Sequence, residues 1–292
     1  MPDFAVHWVD AFTDQPFGGN GCAVVHHAAH LDDETCLAFV RETSLVECTF
    51  LGPSDIADVR VRYFLASREI PFAGHPTVAS VVAAHAAGTV GTGDLTLETL
   101  AGIIPVHLSE DGKRVTMRQI APVFGPVVDR DLVAAAIGLR AEDIVAPPQL
   151  VSTGLPFIIT VLRDKVALSC ASLNARGVEA MHESMGEHGA DAMEPFLTTL
   201  GGFTDAGDTY SRLLMLPPSP AEDPFTGSAT GAMASYFWHH GLIESPDFVA
   251  EQGHGLGRAG SASVRVLGPR DAIKGVEVAG FGHILMSGTL HL

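Results

Sequence analysis

The sequence predicts an α/β protein of two similar halves, each a curved sheet wrapped on one central helix, and three observations lead there. First, the 292 residues are 47% hydrophobic and 17% charged, the proportions of a folded globular chain and not of a disordered, collagenous or coiled-coil one. Second, Glu69–Gly88 aligns without gaps, at an offset of 153, on Glu222–Gly241, repeating Glu, Pro, Phe, Gly, Thr, Ala and the closing Gly in register. Third, short strand-like runs surround each copy of that repeat.

In chain order, Ala5–Ala11 and Gly21–His26 read as strands, Asp32–Thr43 as a helix, and Ser44–Leu51 and Val59–Leu65 as strands. The first repeat copy follows. Its Pro and Gly make a turn into an Ala-rich helix stopped by Gly88, with Pro76 at the first helical position and His75 as N-cap. Leu95–Leu100, Ile103–Leu108 and Arg114–Gln119 are further strands. The Pro-rich passage Ala121–Pro126 is the linker candidate. It divides the chain into an N-terminal domain at 1–122 and a C-terminal domain at 127–280, with a closing strand at 281–292 free to pack back on the first. In the second half, Asp131–Ile137 and Ala175–Leu200 read as helices. Phe157–Val161, Arg212–Leu216, Ser263–Leu267, Gly275–Val278, Phe281–Leu285 and Thr289–Leu292 read as strands. The second repeat copy is a helix stopped by Gly241, with Ser228 in the N-cap place. The small side chains of both repeat helices let backbone approach closely, so both are expected at the centre of their halves.

Lys plus Arg total 17 against 34 Asp plus Glu, a formal charge of −17, which repels phosphate backbones and anionic lipid surfaces at long range. Neither nucleic acid nor a membrane is an expected partner. Cys22, Cys36, Cys48 and Cys170 form no CxxC pair and have no His at zinc-finger spacing, as expected of free thiols in a reducing compartment. The N-terminus lacks a basic-then-apolar leader, and the apolar helical stretch Val78–Ala87 falls well short of the roughly 20 residues of a membrane span. A cytoplasmic protein is expected.

Two helices of this kind can point their N-termini, with free N–H groups and the positive dipole end, at a cleft shared by the halves. The repeat fails in two informative places, where Ile70 faces Asp223 and His75 faces Ser228. From spacing alone, Asp223 either serves chemistry or supports the turn, and Ser228 serves chemistry or simply caps. His75 is a mediocre cap, and a helix start favours a neutral imidazole able to give or take a proton near neutral pH. Glu47 lies in the strand-like run Ser44–Leu51, on the face of Leu45, Thr49 and Leu51. Burial of that face would raise its pKa toward that of a general acid/base; exposure would make it an edge glutamate.

Other motifs carry less. Gly253–Gly257 lacks the strand-turn-helix setting of a dinucleotide site, and His182 and His188 miss the i, i+4 spacing of a zinc helix. Arg60 and Arg62 share a strand face with Phe64 and read as a solvated face. No nucleophile elbow or phosphate loop occurs, so neither metal nor organic cofactor is expected.

The chain resembles the PhzF-like family, which shares its fold with diaminopimelate epimerase. The similarity lies in V-D-A-F-T at Val9–Thr13, G-N-G-C-A-V at Gly19–Val24, S-L-V-E-C-T-F at Ser44–Phe50 and E-I-P-F-A-G-H-P-T at Glu69–Thr77. It continues in S-T-G-L-P-F at Ser152–Phe157, E-D-P-F-T-G-S-A at Glu222–Ala229, E-Q-G at Glu251–Gly253 and G-R at Gly257–Arg258. The resemblance implies two pseudo-symmetric diaminopimelate epimerase-like domains, each a curved, mostly antiparallel sheet around a central helix. It also implies a cleft active site, commonly a homodimer, and proton-transfer isomerisation of a small carboxylated metabolite without a cofactor. It gives the catalytic roles to Glu47, His75, Asp223 and Ser228 and the substrate-binding positions to Asn20, Gly74 and Gly227. Cys22, Cys48 and Phe225 stand where members often carry other residues, which bears on the substrate. The competing activities on this fold are an amino-acid epimerase or dehydratase, and a binding protein without turnover. The epimerase places a cysteine at each helix start, where this chain has His75 and Ser228.

Overall fold

The computed structural model describes residues 2–217 and 219–292. The chain forms two compact units, one of Met1–Arg118, Pro218–Pro220 and Ala279–Leu292, the other of Gln119–Pro217 and Ala221–Val278. The architecture is α+β and dominated by strands.

The first unit contains β1 (Asp3–Ala11), β2 (Asn20–Val25), α1 (Asp33–Thr43), β3 (Glu47–Gly52), β4 (Val59–Leu65), β5 (Glu69–Ile70), α2 (Gly74–Ala86), β6 (Gly93–Thr99), β7 (Gly102–Leu108) and β8 (Arg114–Gln119). Pairing runs β1·β2 antiparallel, β2·β3 parallel, β3·β4 antiparallel, β4·β6 parallel and β6·β7 antiparallel. β8 pairs with β7 and with the last strand, which pairs in turn with β1. The sheet thus closes on itself around α2. That helix is buried from Gly74 to Ala84, as expected of one apolar or small on every side. α1 packs on the outer face, where Cys36 and Val40 meet Cys48, Phe50 and Phe64. β3 is therefore covered on both faces, by α1 on the Cys48 and Phe50 side, and by α2 on the Thr49 side, where Ser80 Oγ donates to Thr49 Oγ1 at 3.0 Å.

The second unit contains β9 (Val123–Val127), α3 (Arg130–Ala136), β10 (Gln149–Ser152), β11 (Pro156–Val161), α4 (Lys165–Cys170), α5 (Ala175–Ser184), β12 (Pro195–Leu200), β13 (Thr209–Leu214), β14 (Glu222–Asp223), α6 (Gly227–His239), β15 (Asp247–Gln252) and β16 (Gly260–Leu267). Its pairing repeats the first unit's alternation, with β10·β11 antiparallel, β11·β12 parallel, β12·β13 antiparallel, β13·β15 parallel and β15·β16 antiparallel. α6 is the central helix, buried from Gly227 to Phe237. α3, α4 and α5 cover the outer face around Ile137, Leu168, Met181 and Leu197.

Several expectations are corrected. The linker passage is largely the strand β9, paired with β10; its residues are only partly covered, and such an edge position tolerates Pro126. The predicted helix Ala175–Leu200 ends at Ser184, and Pro195–Leu200 is a buried strand, its short apolar run being ambiguous by periodicity. The three C-terminal strands are one, β17 (Gly275–His291). Neither His75 nor Ser228 is an N-cap. Ala73 and Thr226 hold those places, so His75 and Ser228 are second in their helices and Pro76 third; the whole first turn has N–H groups to spare, so proline fits there as well as at its first position. The glycine stops are as expected, Gly88 and Gly241 having φ of 72° and 67°. Arg62 is no solvated residue. Its side chain is 11% exposed and pairs with Glu69, at 2.8 Å, and Asp33.

Candidate active site

The first unit brings Asn20, Glu47 and His75 together. Asn20 opens β2 and is 1% exposed, Glu47 opens β3, and His75 lies in the first turn of α2 at 3% exposure. Asn20 Nδ2 donates to His75 Nδ1 at 3.0 Å, which puts the neutral imidazole's proton on Nε2. His75 Nδ1 stands 3.9 Å from Glu47 Oε2, with the glutamate side chain 14% exposed. That separation is too long for a hydrogen bond and short enough for a proton on either group to feel the other's charge. β3 is buried from Cys48 to Gly52, so Glu47 stands at the end of a strand otherwise cut off from water. Alternation within the strand did not reveal this, because both faces are covered.

Cys22 pairs with Glu47 across the parallel β2·β3 register. Burial, then the charges of Cys48 and Glu47, push its thiol well above the ordinary range, so it is a neutral neighbour of the carboxylate. Asp10, fully buried, accepts from the Phe17 N–H at 2.8 Å and holds the turn that leads to Asn20. A cavity of about 620 Å³ opens at the other end of α2, beside His85, Lys113 and His283. None of the candidate residues lines it.

In the second unit, Asp223, Gly227 and Ser228 gather at the start of α6, all buried. Asp223 Oδ2 accepts from Thr226 Oγ1 at 2.5 Å, within the range of a charge-assisted hydroxyl–carboxylate bond. Gln252 completes the turn, receiving the Thr226 N–H at 3.1 Å and donating to the Asp223 carbonyl at 2.8 Å. The β-register shows why Asp223 is special. Leu213 faces Asp223 as Tyr63 faces Ile70, so a carboxylate occupies a place that is apolar in the other unit. Thr226 and Gln252 were not singled out from the sequence. The repeat carried a signal for the first, since Ala73 faces Thr226 there, and E-Q-G carried one for the second.

A family model for the phenazine biosynthesis-like proteins PhzC-PhzF matches residues 9–288. The chain belongs to this family. It is 33% identical to an uncharacterised isomerase of Salmonella typhimurium, over 96% of each chain. It is 31% identical to the trans-2,3-dihydro-3-hydroxyanthranilate isomerase of Pseudomonas aeruginosa, over 97% of this chain and 98% of that one. Among solved structures, a PhzF-family phenazine biosynthesis protein of Bacillus anthracis superposes with a TM-score of 0.87 at 25% identity, covering all of both chains. The protein is thus an enzyme of the PhzF-family isomerases, and among its described residues no helix is long and apolar enough to cross a membrane.

Proposed function

We propose that this isomerase moves a proton on a small carboxylated metabolite by acid/base catalysis. Glu47 takes the proton and returns it, and His75 holds the complementary protonation state. Asp223 and Ser228 serve the substrate's polar groups, and Asn20, Gly74 and Gly227 bind it. The observation that best supports this is the Asn20–His75–Glu47 arrangement, a carboxylate 3.9 Å from an oriented imidazole at a buried helix start. Asn20 keeps the imidazole neutral at the nitrogen that faces Glu47, which leaves the carboxyl group as the one that can both take up a proton and return it, as such a shift requires. The reading includes cofactor-free turnover, a homodimer and a cytoplasmic enzyme.

The Pseudomonas aeruginosa relative makes trans-2,3-dihydro-3-hydroxyanthranilate the first substrate to try. Epimerisation by two thiols is disfavoured, since the helix starts carry His75 and Ser228, and the Cys22 thiol beside Glu47 is held protonated by burial. The test is an assay with that substrate and with amino acids of similar size, followed by proton NMR, on protein treated with a chelator and analysed for metals. Relocation of a ring proton by metal-free protein is expected. Inversion at an amino-acid α-carbon with no movement of a double bond, or activity that follows a stoichiometric metal, would overturn the proposal.

A further inference from the structure

The two central helices differ inside as well as at their starts. Val78 in α2 is a fully buried side chain, and its repeat partner in α6 is Gly231. A glycine in a helix interior costs about 1 kcal/mol relative to alanine, and Gly231 has a specific reason to be there. A Cβ at that position would stand 1.8 Å from Gln119 Oε1 and 2.5 Å from its Cδ. Gln119, 4% exposed, is the first residue of the second unit's Gln119–Pro217 segment. Its Nε2 donates to the Gly227 carbonyl at 2.8 Å, and its Oε1 accepts from Thr153 Oγ1 at 2.6 Å. A carbonyl only accepts, so the amide cannot be turned over without losing that bond. The arrangement also uses Thr153, from the S-T-G-L-P-F run, which has no other part in the site.

The Gly227 carbonyl and the Ser228 N–H belong to one planar trans peptide, so fixing the oxygen at one end sets the direction of the hydrogen at the other. Ser228 N–H is one of the first-turn donors with no partner within the helix. We propose that Gln119 is a positioning residue which, seated by Thr153 and by the missing side chain of Gly231, holds the Gly227–Ser228 peptide so that the Ser228 N–H faces the substrate's carboxylate. The last clause rests on the reading of this helix start as a substrate-binding element; the seat itself does not.

Three measurements test it. In Gln119→Glu, which keeps the shape but turns a carboxylate oxygen on the Gly227 carbonyl, the Gly231 amide should exchange with solvent at least tenfold faster. The Val78 amide, its counterpart in the first unit, should be unchanged. In a double-mutant cycle, Gly231→Ala and Gln119→Ala should each destabilise the protein, while Gly231→Ala should add nothing to Gln119→Ala. With anthranilate as the probe, the Ser228 amide resonance should shift on titration, and Gln119→Glu should weaken binding at least tenfold. An unchanged Gly231 exchange rate, or fully additive mutations, would overturn the seat. A Ser228 resonance that ignores anthranilate in the wild type, with exchange and cycle as expected, would overturn the carboxylate role and the binding reading while leaving the seat established.

Discussion

The two units repeat their scaffold and diverge where chemistry is proposed. The bidentate pair Arg62–Glu69 in the first has its counterpart in Arg212–Glu222, with charged contacts of 2.8 and 2.7 Å. Thr77 Oγ1 donates to the Ala73 carbonyl as Thr230 Oγ1 donates to that of Thr226. Ser80 reaches Thr49 from α2, and Met233 receives the Thr198 hydroxyl at the matching place on α6. Against this constancy, Ile70 becomes Asp223, Ala73 becomes Thr226, His75 becomes Ser228 and Val78 becomes Gly231. In each unit the four positions fall within ten residues, from the short strand before the central helix to that helix's second turn. A duplicated frame therefore carries two unlike sets of side chains, and the proposed chemistry falls on the differences.

Four experiments break or sharpen that comparison. The largest effect belongs to the shared frame. Arg62→Leu and Arg212→Leu each leave a largely buried glutamate without its partner, and each should cost about 3–5 kcal/mol in denaturant unfolding. A near-zero cost in one unit alone would show that the frame is not energetically repeated. Next is Asp223→Ile, which gives the second helix start the first one's residue. It should lower turnover about a hundredfold while circular dichroism stays native; activity in proportion to folded protein would reduce Asp223 to a turn support.

Acid should act on the first unit through His26. The His26 imidazole is held down to about 4 by burial and by the charges of His7 and His27, and its Nε2 lies 2.8 Å from His7 Nδ1. Its folded pKa lies below the ordinary 6.5, so the unfolded chain takes up the proton first. Its contribution to stability is whole above that ordinary value and falls as pH drops from there toward 4. Trp8 reports on the first unit and Trp238 on the second. Fluorescence of single-Trp variants should show the slope through Trp8, and His26→Gln should flatten it. The smallest effect is that of Ser228→Ala on stability. Because Thr226 is the N-cap, the change should cost less than the roughly 1 kcal/mol of a lost cap while still lowering turnover.

Much of the fold was legible in the sequence. The repeat located both central helices because E-x-P-F-x-G and the closing glycines are local turn chemistry, and that chemistry survives in both copies. The wider repeat of strand order left no such trace, since β3 and β12 need only be apolar and not alike. β12 and β9 were hidden for opposite reasons, one by a short apolar run that also suits a helix, the other by prolines that an edge position accepts. In the site, His75 and Asp223 stood out as failures of the repeat. Glu47 could be placed on a strand, but its company could not be read there, because Asn20 and His75 reach it from distant parts of the chain. Gln119 and Gly231 were invisible for the same reason, since Gln119 lies 34 residues from Thr153 and 108 from Gly227.

The central claim is that Glu47 carries the proton, and solvent deuterium tests it most directly. Once a substrate turns over, reaction in heavy water should place deuterium on the product carbon with wild-type protein. Glu47→Gln keeps the shape of the side chain and should still bind, but it should lose turnover by at least about a hundredfold and incorporate scarcely any label. Deuterium incorporation by Glu47→Gln at the wild-type rate would contradict the account and pass the proton to His75 or Asp223.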